Sequence, residues 1–274
     1  IPYPENWEGC SPSGLLMDDL FQKLKKAQAE GQRLTTREWI ERVAEVPLVF
    51  QPGERWMYGL SADVLGAVVE EATGKRYGTF LREEIFAPLG MIDTGFYVPE
   101  DKRWRFAQNY IWNEKNKSLE VYEDCNLGEY YGRDVSFESG GAGLVSTLED
   151  YSRFAQMLLG GGIYQGTRIL GEKTVEFMRQ DRLSPRQKAA LNWDSNLGCG
   201  YGCLMRVLND QGEAGTIGTP GEYGWDGWTG NYVTIDPADD MAMLYFIQRG
   251  GYSSTSALRR LRNITYGALE RLGE

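Results

Sequence analysis

Tyr58 is one of the residues of this sequence whose side chain could take part in acid–base chemistry. The 274 residues contain no histidine, which excludes a Ser-His-Asp triad, a Cys-His dyad and a histidine-ligated zinc site within this sequence. Proton transfer must then use tyrosine, lysine, aspartate or glutamate. A phenol whose pKa is lowered by a neighbouring ammonium group can act as a general base in place of histidine. The alternative is that Tyr58, one of sixteen tyrosines, only packs beside Trp56.

A nucleophile to accompany such a base is missing from the sequence. A nucleophile elbow requires the pattern Gly-x-Ser-x-Gly, and the nearest match, residues 59–63, ends in Asp63. A Ser-x-x-Lys site requires a lysine one helical turn after the serine, so that the amine lies beside the hydroxyl. No serine in the sequence has a lysine three residues later. The 274 residues therefore contain no complete nucleophile site.

Glycine runs and aspartate pairs are the other features that could hold a cofactor or a metal. The glycine-rich run at 140–143 lacks the lysine and the serine or threonine of a phosphate-binding loop. The run at 160–162 follows a predicted helix instead of preceding one. The pairs Asp18-Asp19 and Asp239-Asp240 fit a solvated helix face and a hairpin turn. We therefore predict turns and close packing at the glycines, no cofactor and no metal.

The composition is that of a globular protein with a sizeable core. Hydrophobic residues make up 42% of the chain and charged residues 25%. Acidic residues exceed basic ones, and the formal net charge is −10. Because a protein that reads a phosphate backbone needs a basic surface, we predict no nucleic-acid partner. No run approaches the roughly 20 apolar residues of a membrane helix, so we predict no membrane segment.

Apolar residues three and four positions apart predict amphipathic helices in the first part of the chain. The predicted helices cover residues 15–30, 36–46, 61–73 and 148–159. Thr35 with Glu38 matches a capping box before the second helix, and Gly74 matches a glycine cap after the third. We expect Leu65 and Val68 to lie on the apolar face of the third helix.

The last third of the chain has the composition of strands. Its β-branched, aromatic and apolar residues are concentrated in segments separated by Gly, Asn and Asp, which is typical of antiparallel strands. The predicted strands cover residues 201–208, 230–235 and 241–248, and a last helix covers residues 254–272. The stretch 103–134 is polar, aromatic and poorly periodic, and we interpret it as a long excursion that could cover a pocket. Helices, strands and a closing helix indicate an α+β fold.

Two segments resemble the motifs of a known superfamily. Residues 50–66 read FQPGERWMYGLSADVLG, and residues 224–230 read GWDGWTG. In this order and spacing they resemble the serine β-lactamase-like superfamily, which includes class C β-lactamases, penicillin-binding proteins and family VIII carboxylesterases. The resemblance implies a β-lactamase/transpeptidase-like fold, with an antiparallel sheet flanked by helices and a helical lobe. It also implies that Tyr58 is the tyrosine of the family's Tyr-x-Asn motif.

The sequence departs from the lactamases at two of these motifs. Leu60 stands where they carry asparagine, and Trp225-Asp226-Gly227 stands where they carry Lys-Thr-Gly. Those lysine and asparagine groups handle the carboxylate and amide of a β-lactam, so their loss argues against antibiotic hydrolysis. The pattern is similar to family VIII carboxylesterases, and it implies that Leu60, Trp225, Asp226 and Gly227 line the substrate site. Asp226 stands where family VIII carboxylesterases usually carry glycine. Either it selects substrates with a positive or hydrogen-bond-donating group, or it caps its own turn.

The resemblance further implies an oxyanion hole and a nucleophile from elsewhere. The backbone N–H of Trp228 would be one oxyanion donor, and the N–H of the nucleophilic serine the other. In the family, the Ser-x-x-Lys helix lies upstream of residues like Ile1-Pro2-Tyr3-Pro4, so we expect the N-terminal part of the fold to be absent from this chain. Either a companion polypeptide carries Ser-x-x-Lys, or the chain is an incomplete product that is inactive alone.

These observations predict a serine hydrolase that cleaves a small ester or amide through an acyl-enzyme. The alternative is a non-catalytic binding protein with the β-lactamase fold. We expect residues 1–200 to form a mostly helical lobe and the active-site region with Tyr58. We expect residues 201–274 to form the C-terminal antiparallel strands and the closing helix. Together they would make one incomplete β-lactamase-like domain.

Overall fold

The computed structural model describes residues 11–122, 135–191, 196–251 and 256–270. The chain folds as two compact units. The first contains the described residues of Ile1–Phe106 and Asn126–Thr147, and the second contains those of Ala107–Cys125 and Leu148–Glu274. These bounds differ from the sequence division at residue 200, because residues 148–191 fold with the C-terminal strands. The segment Ile1-Pro2-Tyr3-Pro4 lies outside the described residues.

The first unit is helical. Its elements are α1 (Pro12–Ala29), α2 (Thr36–Ala44), α3 (Ser61–Thr73), α4 (Tyr77–Leu81) with a following π-helical turn (Arg82–Phe86), and a 3₁₀ helix (Glu100–Arg105). The predicted capping box is confirmed, since the Glu38 N–H donates to the Thr35 hydroxyl and the Thr35 N–H donates to the Glu38 carboxylate. Gly74 is confirmed as a C-cap, because its φ of 67° is the left-handed conformation that glycine adopts without strain.

The core of the first unit is formed by α1, α2 and the residue that precedes α3. Its buried side chains are those of Met17, Trp39, Val43 and Leu60. The Trp39 ring stacks on Phe137 at a centroid distance of 4.4 Å and meets Phe21 edge-on at 5.2 Å. Aromatic pairs at these distances add to the free energy of area burial alone.

Helix α3 buries a different face from the one that its apolar residues predict. Leu65 is 48% exposed and Val68 is 54% exposed, whereas Asp63 and Gly66 are buried. The reason is the close packing of Tyr77, the first residue of α4. A Cβ at Gly66 would lie 3.2 Å from the Tyr77 ring, so the small residue admits the aromatic side chain.

The second unit combines an antiparallel sheet with helices. Two hairpins come first, β1 (Tyr110–Asn113) with β2 (Ser118–Val121), and β3 (Ile163–Tyr164) with β4 (Thr167–Arg168). A five-stranded sheet follows in the order β5 (Cys199–Tyr201), β6 (Arg206–Leu208), β7 (Tyr223–Asp226), β8 (Tyr232–Asp236) and β9 (Met241–Tyr245). The helices are α5 (Leu148–Leu159), α6 (Glu172–Met178), α7 (Pro185–Lys188), α8 (Gln211–Ala214) and α9 (Ser256–Gly267). The α+β class is confirmed.

Several sequence boundaries in this unit need correction. The predicted strand 201–208 is interrupted, because the chain turns back through Leu204, which has a φ of 58°, between β5 and β6. Strand β7 was not predicted. The described part of the excursion 103–134 contains the end of the 3₁₀ helix, which belongs to the first unit, and the β1–β2 hairpin. The closing helix ends at Gly267, before the predicted end at residue 272.

Strand alternation sorts the sheet residues onto two faces. Arg206 pairs with Gly224 and Asp226 pairs with Tyr232, so these residues share one face. Tyr232 packs on that face with Leu258 of α9. The opposite face is covered by α5, whose Leu158 carbonyl accepts a hydrogen bond from the Tyr223 hydroxyl at 3.3 Å.

Candidate active site

Tyr58 lies in the segment that leads directly into α3 of the first unit, and its side chain is half-buried. Two residues later, the Leu60 side chain is only 1% exposed and packs in the core with Met17 and Val43. Leu60 therefore anchors the segment that carries Tyr58. This burial corrects the prediction that Leu60 lines the substrate site, because core side chains surround it.

Asp63 fixes the glycine-rich run to the start of α3. Its Oδ1 accepts hydrogen bonds from the Ser139 hydroxyl at 2.5 Å and from the Gly141 N–H at 3.3 Å. A Cβ at Gly140 would lie 2.2 Å from the Ala62 carbonyl oxygen, so only glycine fits. The close packing predicted for this run is confirmed. Asp63 was not predicted, although a carboxylate inside the apolar pattern of a helix is a signal that could have indicated it.

Burial raises the pKa of the Asp63 carboxyl above its ordinary value of 3.8, against the opposite effect of the hydrogen bonds from Ser139 and Gly141. The side chain is 2% exposed, and its Oδ2 has no partner among the described residues. At pH values between the unfolded and the folded pKa of Asp63, the folded protein therefore binds more protons than the unfolded chain does. The corresponding stability is present below the unfolded pKa and is lost as the pH rises through the folded pKa.

We expect Asp63→Asn to remove this pH dependence, because asparagine does not ionise. The slope of the free energy of unfolding against pH, measured by urea denaturation between about pH 4 and pH 8, should be more positive than in the wild type. Asp101→Asn, on an exposed residue of the same unit, is the matched control and should keep the wild-type slope. An unchanged slope in Asp63→Asn would contradict the prediction.

Trp228 lies in the turn that joins β7 to β8 in the second unit. Within this turn, the Gly227 N–H donates to the Asn231 carbonyl at 2.7 Å, and the Gly230 N–H donates to the Gly227 carbonyl at 2.9 Å. The Asn231 side chain accepts from the Ile247 N–H at 3.1 Å. Among the described residues, the Trp228 N–H has no hydrogen-bond acceptor. A fixed backbone with an unused N–H is what a preorganised oxyanion donor requires.

The Trp228 indole rests on a glycine and an aromatic ring. A Cβ at Gly250 would lie 2.8 Å from the indole, and the Tyr122 ring is 5.5 Å from it. Tyr110 of strand β1 pairs with the segment that contains Gly250. Its N–H donates to the Gln248 carbonyl at 3.0 Å, and its carbonyl accepts from the Gly250 N–H at 2.7 Å. Trp228 remains 41% exposed, so its side chain is accessible from solvent.

Trp225 and Gly227 lie at the end of β7. The Trp225 ring meets Tyr201 edge-on at 5.5 Å. A Cβ at Gly227 would have no neighbour closer than 3.8 Å, so packing within the described residues does not require glycine there. The substrate contacts of Trp225 and Gly227 stay predictions.

Asp226 lies on the face of the sheet that α9 covers. Its carboxylate forms an ion pair with Arg206, and both side chains are 7% exposed. The Arg206 guanidinium lies 4.8 Å from the centroid of the Tyr232 ring. A buried arginine is therefore the partner of the Asp226 carboxylate, and the contact of Asp226 with a substrate stays a prediction.

Asp226→Ala is expected to lower the free energy of unfolding by about 3–5 kcal/mol, because it leaves the Arg206 charge buried without its carboxylate. Chemical denaturation measures this loss. The double variant Arg206→Met/Asp226→Leu removes both charges and should recover most of the stability. A single-variant loss below about 1 kcal/mol, typical of exposed pairs, would contradict the burial of this pair.

The described ranges were compared with the patterns of a metal-binding cluster and of a membrane-spanning helix. No three acidic or thiol side chains in them come together in a way that could hold a metal ion. None of their helices has both the length and the hydrophobicity of a membrane span.

Residues 13–266 match the family model described as Beta-lactamase. The chain belongs to the β-lactamase family. The match extends over both units, so the resemblance to the serine β-lactamase-like superfamily is confirmed. In this β-lactamase family chain, Tyr58 lies just before α3 and Trp228 lies in the turn after β7.

Two curated relatives illustrate the similarity. An uncharacterized protein of Mycobacterium tuberculosis is 37% identical over 215 residues, which cover 77% of this chain and 53% of the relative. Esterase EstB of Burkholderia gladioli is 31% identical over 188 residues, which cover 65% of this chain and 45% of the relative. The similarity to EstB fits the predicted resemblance to family VIII carboxylesterases. The chain spans about half the length of these relatives.

A solved structure confirms the β-lactamase/transpeptidase-like fold. EstCE1, described as a hydrolase with promiscuous acyltransferase activity, superposes with a TM-score of 0.72 at 25% identity. The match covers 86% of this chain and 62% of the EstCE1 chain. The fold of the family is therefore present over most of the sequence.

Proposed function

We propose that this chain is the part of a serine hydrolase that supplies its general base and one oxyanion donor. The reaction is the cleavage of a small ester or amide through an acyl-enzyme. The observation that carries the proposal is the Trp228 N–H, which lacks an acceptor among the described residues although its turn is fixed by hydrogen bonds. The similarity to Esterase EstB supports an ester as the substrate.

The nucleophilic serine and its lysine come from outside the 274 residues, since no Ser-x-x-Lys occurs within them. The serine oxygen attacks the carbonyl carbon while its proton passes to the Tyr58 phenolate, which the lysine ammonium stabilises. The carbonyl oxygen becomes an oxyanion that accepts hydrogen bonds from the Trp228 N–H and the serine N–H. Tyr58 then protonates the leaving alcohol or amine as the bond to it breaks. Water, or another acyl acceptor, loses a proton to Tyr58 and attacks the carbonyl carbon of the acyl-enzyme. The bond from this carbon to the serine oxygen then breaks, and Tyr58 returns the proton to the serine.

The residues at the end of β7 favour esters and simple amides over β-lactams. Trp225 replaces the lysine of the family's Lys-Thr-Gly motif, so no ammonium is available there for a β-lactam carboxylate. Arg206 neutralises Asp226, which removes the obstacle that a free carboxylate would present to a neutral ester. We therefore do not assign the selection of cationic substrates to Asp226.

A covalent serine probe tests this function. The active protein should react with a fluorophosphonate at one serine outside residues 1–274, and it should release a burst of p-nitrophenol from a p-nitrophenyl ester. The absence of Ser-x-x-Lys favours a second candidate, a non-catalytic binding protein. No labelling of the protein or of any polypeptide purified with it would support that candidate and overturn the hydrolase.

A further inference from the structure

Trp104 and Ile92 of the first unit are the most exposed of the large hydrophobic side chains that the structure describes. Trp104 is 84% exposed and Ile92 is 78% exposed. Both belong to the segment 92–106, which contains none of the residues that the proposed mechanism uses. Large apolar side chains that project together into water are typical of a contact surface.

An ion-pair cluster holds these two side chains at one edge of the unit. Trp104 lies in the 3₁₀ helix, in which Lys102 and Arg105 are three residues apart and therefore lie on the same side. Both of these cations contact the Asp93 carboxylate, at 2.6 Å and 2.5 Å. The Lys102 ammonium also donates to the Ile92 carbonyl at 3.2 Å. The helix that carries Trp104 is thus fastened next to Ile92.

The backbone at Ile92 is fixed by the core beside it. The preceding residue, Met91, is buried, and its N–H donates to the carbonyl of the buried Phe86 at 2.8 Å. The Ile92 N–H donates to the Gly90 carbonyl at 3.1 Å. Because the neighbouring core is already filled by its own side chains, it has no room for the Ile92 side chain. The exposure of Ile92 is therefore a property of the fold.

The charges of this edge indicate the kind of surface that fits it. Residues 92–106 contain three acidic and three basic side chains, so their formal net charge is zero. The whole chain has a formal net charge of −10, which repels an anionic surface. A polar surface without net charge, such as the headgroup layer of a zwitterionic lipid, is the match for both observations.

The area of this edge is small for a protein interface. Trp104 and Ile92 together expose on the order of 300 Å² of apolar surface, whereas each partner contributes roughly 800 Å² to a stable protein complex. A protein partner would also need a pocket shaped for each projecting side chain. Lipid headgroups and acyl chains are fluid, so they can close around projecting side chains of any shape.

We propose that this edge binds the surface of a zwitterionic lipid layer, with the Trp104 indole among the headgroups and the Ile92 side chain in the adjoining acyl region. An indole combines a large apolar ring with one N–H donor, which suits the boundary between headgroups and acyl chains. The contact is peripheral, so it requires no membrane-spanning helix. It uses neither the nucleophile nor the oxyanion donor, and it is independent of the proposed hydrolase activity.

Flotation of the protein with phosphatidylcholine vesicles measures this binding as a partition coefficient. Trp104→Ala should lower the coefficient by about tenfold or more, the factor expected for one large apolar side chain that leaves an apolar phase. Ile92→Ala should lower it several-fold. Vesicles that also contain anionic phosphatidylglycerol should bind no more protein than vesicles of phosphatidylcholine alone.

Ile264→Ala is the matched control for Ile92→Ala. Ile264 is 70% exposed but belongs to the second unit, so this variant should keep the wild-type partition coefficient. Phosphatidylcholine with brominated acyl chains locates the contact, because bromine quenches tryptophan fluorescence at short range. This quenching should be lost in Trp104→Phe.

Three results would overturn the proposal. The first is a wild-type protein that does not float with phosphatidylcholine vesicles. The second is binding that both Trp104→Ala and Ile92→Ala retain, or that increases with phosphatidylglycerol, since the lipid would then contact another surface. The third is self-association in sedimentation velocity that Trp104→Ala abolishes, which would assign this edge to a second copy of the chain.

Discussion

Replacing Tyr58 by phenylalanine is expected to lower the kcat of the active hydrolase by about 10²–10⁴, the usual contribution of a positioned acid–base group. The change removes one hydroxyl from a half-buried side chain, so KM and the folded structure should change little. Steady-state kinetics on two esters measures the effect. The loss should be larger for an alkyl ester, whose leaving group needs a proton, than for a p-nitrophenyl ester.

Tyr97→Phe is the matched control for this variant. Tyr97 belongs to the same unit and is 44% exposed, and its loss of a hydroxyl should leave kcat at the wild-type value. If Tyr58→Phe also retained wild-type kcat on both esters, Tyr58 would have no part in the proton transfer.

Ester turnover by the purified 274-residue chain alone is expected to be undetectable above the rate in buffer. The chain contains Tyr58 and Trp228, but it has neither a Ser-x-x-Lys site nor a histidine that could replace the lysine. Without a nucleophile, no acyl-enzyme forms and no burst of p-nitrophenol appears. The comparison sample contains the same chain and a family segment that carries Ser-x-x-Lys, either added as a separate polypeptide or fused to the chain. In this sample the burst of p-nitrophenol should be restored.

A serine of the chain itself is the alternative source of a nucleophile. Ser61 is the first to examine, because it lies in the nearest match to a nucleophile elbow. A burst from the chain alone that disappears in Ser61→Ala would show that the nucleophile has been misplaced. The same result would remove the need for any second polypeptide.

Sequence signals that act within one helical turn predicted the helical part of the fold well. Thr35 reaches Glu38 only three residues away, and Gly74 ends α3 through its own backbone conformation. Such interactions depend on local geometry, so they can be recognised in the sequence before any tertiary contact is known. Tyr58 and Trp228 were assigned from two short contiguous motifs, and their roles stay predictions.

Features that depend on partners distant in sequence could not be predicted. Asp226 meets Arg206 only because β6 and β7 pair in one register. Strand β7 itself contains Gly224, and glycine in a sequence usually indicates a turn. In the structure a Cβ there would lie 2.0 Å from the Val233 carbonyl oxygen, so the glycine allows a neighbouring strand to approach closely.

The backbone pairing of Tyr110 with the chain around Arg249 joins two segments of the second unit that are far apart in sequence. A contact of such long sequence separation has a large entropic cost, because a large loop must close before the pairing stabilises anything. On the ribosome, residue 250 must leave the exit tunnel before Gly250 can support the Trp228 indole. A chain that terminates before residue 250 therefore contains both Tyr58 and Trp228 but lacks Gly250, against which the Trp228 indole packs.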